Sequence, residues 1–179
     1  MVTIIHGGHR QGLCYDAAKT FEALLAEKNA FVKFFSLRDY PMEFCCGDQP
    51  CQDSGECIFN DTVVKEIIPS IATSDTLVFF TPTYFNMPPA ILKTFLDRCN
   101  LLLTMEDRKR PKFSAWVSGQ TEENSLEDCY HSLEVFAEIC EFEPVDGGKI
   151  LRVETDPAAK KITPADREVL EKLTAKIID

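Results

Sequence analysis

At 179 residues, with 45% apolar and 27% charged residues, the chain fits one domain that buries a core without disulfides or structural metal. Its apolar runs stop well short of the ~20 residues that cross a bilayer, which excludes a membrane partner or span. The formal net charge of −10, with no basic cluster beyond Arg108-Lys109-Arg110, excludes nucleic acid as a partner.

Met1-Val2-Thr3-Ile4-Ile5 begins directly in strand-like sequence, without the features of an export signal, so a cytoplasmic address is expected. A glycine-containing turn follows, then a helix with Ala18, Phe21, Leu24 and Leu25 on one face. Residues 31–36 read as the second strand, residues 39–60 as irregular, and Val63, Val64, Ile67, Ile68 and Ile71 as the second helix. Residues 76–81 form a continuous apolar run, the type buried on both faces of a parallel sheet. Pro88 and Pro89 then open a long third helix striped by Ile91, Leu92, Phe95, Leu96, Cys99 and Leu102. Residues 113–117 give the fourth strand, and Cys129, Leu133, Phe136 and Cys140 the fourth helix. A fifth strand at residues 148–153 precedes a last helix with Thr163 as N-cap, Pro164 at N1 and Asp166 at N3.

Five βα units predict an α/β, doubly wound, three-layer sandwich: one five-stranded parallel sheet, order 2-1-3-4-5, in a single domain spanning 1–179 with an insertion at about 41–60. Ligands of such sheets bind where the strand order reverses, at the loops after strands 1 and 3. The first of these reads His6-Gly7-Gly8-His9-Arg10-Gln11-Gly12-Leu13-Cys14. Its glycines admit positive φ or close approach to a ligand, the amino end of the following helix attracts an anion, and Arg10 can grip phosphate. It matches neither the P-loop nor the Gly-x-Gly-x-x-Gly fingerprint. A purely structural turn, or a metal role for His6 and His9, are the alternatives at this loop. The second loop, Thr81-Pro82-Thr83-Tyr84-Phe85-Asn86-Met87-Pro88-Pro89, offers backbone amides and aromatic faces to a planar ligand, or else caps the sheet.

Together the two loops resemble the NADPH-dependent FMN reductase and iron-sulfur flavoprotein families, which share the flavodoxin-like fold; the resemblance covers about the first 120 residues. Those families carry a Gly-Ser-x-Arg phosphate loop, matched by Gly7-Gly8-His9-Arg10, and a Pro-x-Tyr segment leading to Lys and Asp-Arg, matched by Pro82-Thr83-Tyr84, Lys93 and Asp97-Arg98. The resemblance implies FMN bound by Gly8, His9, Arg10, Gly12, Leu13 and Cys14 at its phosphate and by Pro82, Thr83, Tyr84, Phe85, Asn86, Met87, Gly119 and Gln120 at its ring. Gly8 and Cys14 stand where relatives have hydroxyl residues. Lys93, Asp97 and Arg98 are expected to be surface and capping charges of the third helix.

Eight cysteines without an export signal point to thiols, metal ligands or redox groups. By resemblance, Cys45, Cys51 and Cys57 match three positions of a four-iron cluster motif, Asp48 falls at the fourth, and Cys46 is available as a substitute. A loop of thiols packed at a subunit interface and a zinc site are the other readings. Cys14, Cys99, Cys129 and Cys140 read as core thiols.

The implied function is an FMN-dependent NAD(P)H oxidoreductase that passes electrons to a quinone, flavin or iron-sulfur acceptor, as a homodimer or homotetramer. The alternative is an electron-carrier flavoprotein, with or without a 4Fe-4S cluster, that does not itself oxidise NAD(P)H. His6 and Thr81 occupy the strand ends where a phosphoacceptor receiver domain needs acidic residues, which argues against that class.

Overall fold

A computed structural model describes residues 1–47, 50–120, 123–156 and 158–178. Strands β1 (Val2–His6), β2 (Val32–Ser36), β3 (Thr76–Pro82), β4 (Lys112–Gly119) and β5 (Glu143–Val153) form one parallel sheet in the order 2-1-3-4-5, the doubly wound order of flavodoxin-like folds. The helices are α1 (Leu13–Glu27), α2 (Pro50–Ser54), α3 (Ile68–Thr73), α4 (Ala90–Arg98), α5 (Glu123–Ile139) and α6 (Pro164–Ile178). Among the described residues, no helix is long and apolar enough to cross a membrane.

Alternation along each strand divides the core into two layers. Ile5, Leu77, Phe79, Phe113, Ala115 and Val117 face α3, α4 and α5. Ile4, Val78, Phe80 and Trp116 face α1 and α6, where Phe21, Leu25, Leu170 and Leu173 meet them. Both sides of β1, β3 and β4 are dry, which is why these strands read as unbroken apolar runs.

Four elements differ from the sequence expectation. The stretch expected to be irregular holds a short helix, α2 at Pro50–Ser54. The second helix starts as a π turn at Val63–Ile67, because Pro69 lacks the amide that would bond the carbonyl four residues back and the ladder widens just before it. The third helix begins after its prolines, with Pro89 as N-cap, and tightens into a 3-10 stretch at Cys99–Thr104. The fifth strand starts at Glu143 and bulges against β4 between Phe113 and Ala115, where the Ser114 hydroxyl donates to the Gly148 carbonyl. The expected cap of α6 is present in full: the Thr163 amide donates to Asp166 Oδ2 at 2.9 Å, and the Asp166 amide to Thr163 Oγ1 at 3.2 Å.

Lys93 and Asp97 pair on the surface of α4 as expected, but Arg98 is no surface charge. Its side chain is wholly buried, bonded to both carboxylate oxygens of Asp61 at 3.0 and 3.2 Å and to the Glu43 carbonyl, and stacked 4.2 Å from the Phe59 ring centre. One guanidinium therefore ties both ends of the 41–60 insertion to α4, with geometry only arginine supplies. Arg98→Met removes the ion partner of Asp61, leaving that carboxylate the Val64 amide alone, and is expected to lower unfolding free energy by about 3 kcal/mol. Urea unfolding measures that loss, and limited proteolysis is expected to cut first within 41–60.

Candidate functional site

The chain leaves β1 through a passage with almost no spare volume. A Cβ on Gly7 would lie 2.7 Å from Leu92 Cδ2, and one on Gly8 would lie 2.8 Å from His6 Nε2 and 3.2 Å from Pro82 Cδ. Side chains are excluded here by close packing. None of Gly7, Gly8 and Gly12 has a positive φ, so of the two roles expected for these glycines, positive φ is not the one they play. Gly12 is the N-cap of α1 in extended conformation and brings no side chain to the first-turn amides, which leaves them for an anion.

His6, the last residue of β1, is fully buried. Its Nδ1 lies 3.0 Å from Ser36 Oγ, the Tyr15 ring stands edge-on to the imidazole at 5.2 Å, and Nε2 is buried with no hydrogen-bond partner among the described residues. Burial, then the Arg38 guanidinium, bring its pKa down from 6.5 to about 4, so the ring is neutral at pH 7.

After β3 the backbone makes a two-residue hairpin. Tyr84 and Met87 exchange both amide–carbonyl bonds at 3.0 Å, while Phe85 (φ 50°) and Asn86 (φ 62°) are left-handed. Such turns normally take Asn-Gly, and a left-handed phenylalanine costs about 1–2 kcal/mol. Phe85 is also fully solvent-exposed, so an apolar ring is held out in strained conformation without a folding gain. Strain of this sort clusters where something binds.

The two loops line one cleft of about 960 Å³. Of the residues expected at the site, Gly8, His9, Arg10, Gly12, Leu13, Cys14, Pro82, Thr83, Tyr84, Phe85, Gly119 and Gln120 line it. Asn86 and Met87 do not: the hairpin turns them toward α5, where Asn86 Nδ2 bonds Asp128 at 3.3 Å and Met87 Sδ accepts from Ser132 at 4.0 Å. The Cys14 thiol is buried next to Ser118, and desolvation raises its pKa well above the ordinary thiol value, so it serves as a neutral wall. Sequence reasoning missed His6, Arg38, Glu154 and Lys160, which also line the cleft. Arg38 was readable, since the order 2-1-3 places the end of β2 beside the end of β1. Lys160 sits in the segment between β5 and α6, held over α1 by Asp16, which bonds Lys161 and the Ile162 amide, and no local pattern marks it. Arg10, Arg38 and Lys160 against Glu154 make the cleft locally cationic in an acidic molecule.

Cys45, Cys46, Cys51 and Cys57 line a second, mostly apolar cavity of about 520 Å³ with Cys99, Cys140 and Met87. Cys51 Sγ accepts from Asn100 at 3.7 Å and Cys57 Sγ from Arg98 at 3.9 Å. Among the described residues no three His, Cys, Asp or Glu side chains are placed to hold a metal ion. Asp48, at the fourth motif position, lies outside the described residues. Cys14, Cys99, Cys129 and Cys140 are buried thiols.

The family model described as NADPH-dependent FMN reductase matches residues 1–153. An iron-sulfur flavoprotein of Methanocaldococcus jannaschii is 30% identical over 69% of this chain and 64% of its own length. One of Clostridioides difficile is 27% identical over 58% of this chain and 47% of its own. The chain thus spans about half to two thirds of these relatives. The FMN-dependent NADH-azoreductase of Bacillus anthracis, solved in complex with FMN, superposes over 99% of both chains with a TM-score of 0.68 at 13% identity, a likeness of fold. The cleft suits such a group on its own features: a cradle that a Cβ would fill at Gly8, an orphaned buried nitrogen on His6, and a lining that holds three basic side chains and two aromatic ones.

His6 gives the molecule a pH signature. A histidine at about 4 folded and 6.5 unfolded binds more proton in the unfolded state between those values. Stability is therefore complete above pH 6.5 and falls by about 3 kcal/mol as pH drops toward 4. Urea midpoints across pH 7 to 4.5 are expected to show this fall in the wild type and a shallower one in His6→Asn.

Proposed function

The chain belongs to the NADPH-dependent FMN reductase family, and from that premise we propose that it binds FMN in the cleft between β1 and β3 and passes electrons from NADH or NADPH to a quinone, flavin or iron-sulfur acceptor. The observation that carries the reading is that one cleft is lined both by cationic groups, Arg10, Arg38 and Lys160 with the uncapped start of α1, and by the exposed rings of Tyr84 and Phe85 at the hairpin. A phosphate suits the first set and a planar conjugated ring the second.

Bound FMN supplies the redox chemistry, accepting two electrons from the nicotinamide and giving them to the acceptor. The protein's part is to hold it. The α1 amides, Gly8 through Cys14 and the Arg10 guanidinium would hold the phosphate, and Pro82, Thr83, Tyr84, Phe85, Gly119 and Gln120, which line the same cleft, would hold the ring. Phe85, wholly exposed at the mouth, gives an incoming nicotinamide or acceptor an apolar surface to rest on. The same exposed ring also suits a protein partner, which favours the electron-carrier form as the second reading. The relatives are named iron-sulfur flavoproteins, and Cys45, Cys46, Cys51 and Cys57, which line one cavity, are the residues that would hold a cluster in this chain.

The proposal includes self-association as a dimer or tetramer. Ile58, Leu103, Val135 and Ile139 are exposed around the cysteine cavity, an apolar area of the sort that marks contact surfaces. Light scattering of Ile139→Asp is expected to show a smaller species than the wild type; equal masses would remove this surface from the proposal.

The main test is anaerobic titration of protein reconstituted with FMN. NADPH or NADH is expected to bleach the visible flavin band and a benzoquinone to restore it, while Arg10→Ala raises the FMN dissociation constant about tenfold to a hundredfold. Bleaching by dithionite but by neither nucleotide would leave the carrier reading in force. Failure to take up FMN would end both.

A further inference from the structure

We infer that His6 is a phosphate-binding residue of the FMN site, donating its Nε2–H to the phosphate beside the amino end of α1. This rests on the FMN reading above and deepens it by assigning a ligand group that no loop motif reveals.

The imidazole is fully buried, yet its Nε2 has no partner among the described residues although His6 lines the cleft. Buried donors are almost always bonded, so an orphan at a cleft wall points to a missing acceptor. The Ser36 hydroxyl, 3.0 Å from Nδ1, can donate there and so place the ring hydrogen on Nε2. The Tyr15 ring, itself edge-on to Phe34, holds the imidazole from the α1 side.

Where Nε2 lies matters most. It sits 2.8 Å from the point a Cβ on residue 8 would occupy, so the ring fills the space of the residue-8 side chain. The strand beneath delivers to the phosphate loop the polar group that glycine at position 8 cannot carry. Burial and Arg38 keep the ring neutral near pH 7 in the ligand-free protein; it serves as a hydrogen-bond donor, with Arg10 and Arg38 supplying fixed positive charge. The pair also explains why Gly8 is required: any side chain there would collide with its own replacement.

The experiment compares FMN with riboflavin, which lacks the phosphate, by quenching of flavin fluorescence. His6→Ala is expected to reduce the preference for FMN over riboflavin by about tenfold or more with riboflavin affinity unchanged. Gly8→Ser, which forces the imidazole aside, is expected to reduce it too. In His6→Ala/Gly8→Ser the room for a residue-8 hydroxyl is restored, and the preference is expected to recover in part. Nitrogen-15 NMR of wild-type histidines reads the contact without any substitution: His6 Nε2 should shift with FMN and not with riboflavin. An unchanged preference in a variant with native circular dichroism, or an Nε2 signal indifferent to FMN, overturns the assignment while leaving the flavin site standing. A wild type that binds riboflavin as well as FMN, or binds neither, overturns the underlying reading as well.

Discussion

The chain that leaves β1 has to pass between Leu92 of α4 and the imidazole of His6 with no room for a Cβ at Gly7 or Gly8, and this constraint sets the rest of the site. It brings bare backbone to the reversal point of the sheet and starts α1 directly over the strand ends. With Gly12 as cap, the first-turn amides of α1 are left to the cleft rather than satisfied by a side chain. Relaxing the passage would move the start of α1 and with it every group expected to meet a phosphate.

The site is built from opposites placed at the two loops of the reversal point. One end is tight, basic and made of backbone. The other is an exposed hairpin whose left-handed Phe85 and Asn86 spend conformational energy to hold an aromatic ring in solvent. A ligand with an anionic tail and a planar head matches that asymmetry better than a compact anion or an apolar molecule would. Net charge of −10 across the chain does not contradict an anionic ligand, because Arg10, Arg38 and Lys160 converge within one cleft and the acidic side chains are spread over the surface.

How much of this the sequence discloses depends on the range of the interaction. The strands of the dry sheet show as apolar runs and the α6 cap as Thr163 and Asp166, both local signals, and the alternation of elements implies the strand order. The two site loops follow from that order, so twelve of the expected cleft residues do line it. What stays hidden depends on partners far away in the chain. Arg98 looks like the neighbour of Asp97 but pairs with Asp61 and pins the insertion. Asn86 and Met87 belong to a ring-contact motif on paper, yet the hairpin aims them at α5. His6 reads as a loop histidine until its ring is seen in the volume of a Gly8 side chain. The cysteine spacing suggests a ligand set, and the fold brings Cys45, Cys46, Cys51 and Cys57 to the lining of one cavity.

Phosphorus-31 NMR of FMN added to the purified protein tests the central claim most directly. The phosphate resonance is expected to be displaced from that of free FMN and unresponsive to pH between 5 and 8, where free phosphate titrates. A resonance that titrates like the free nucleotide while the flavin absorbance reports binding would contradict it.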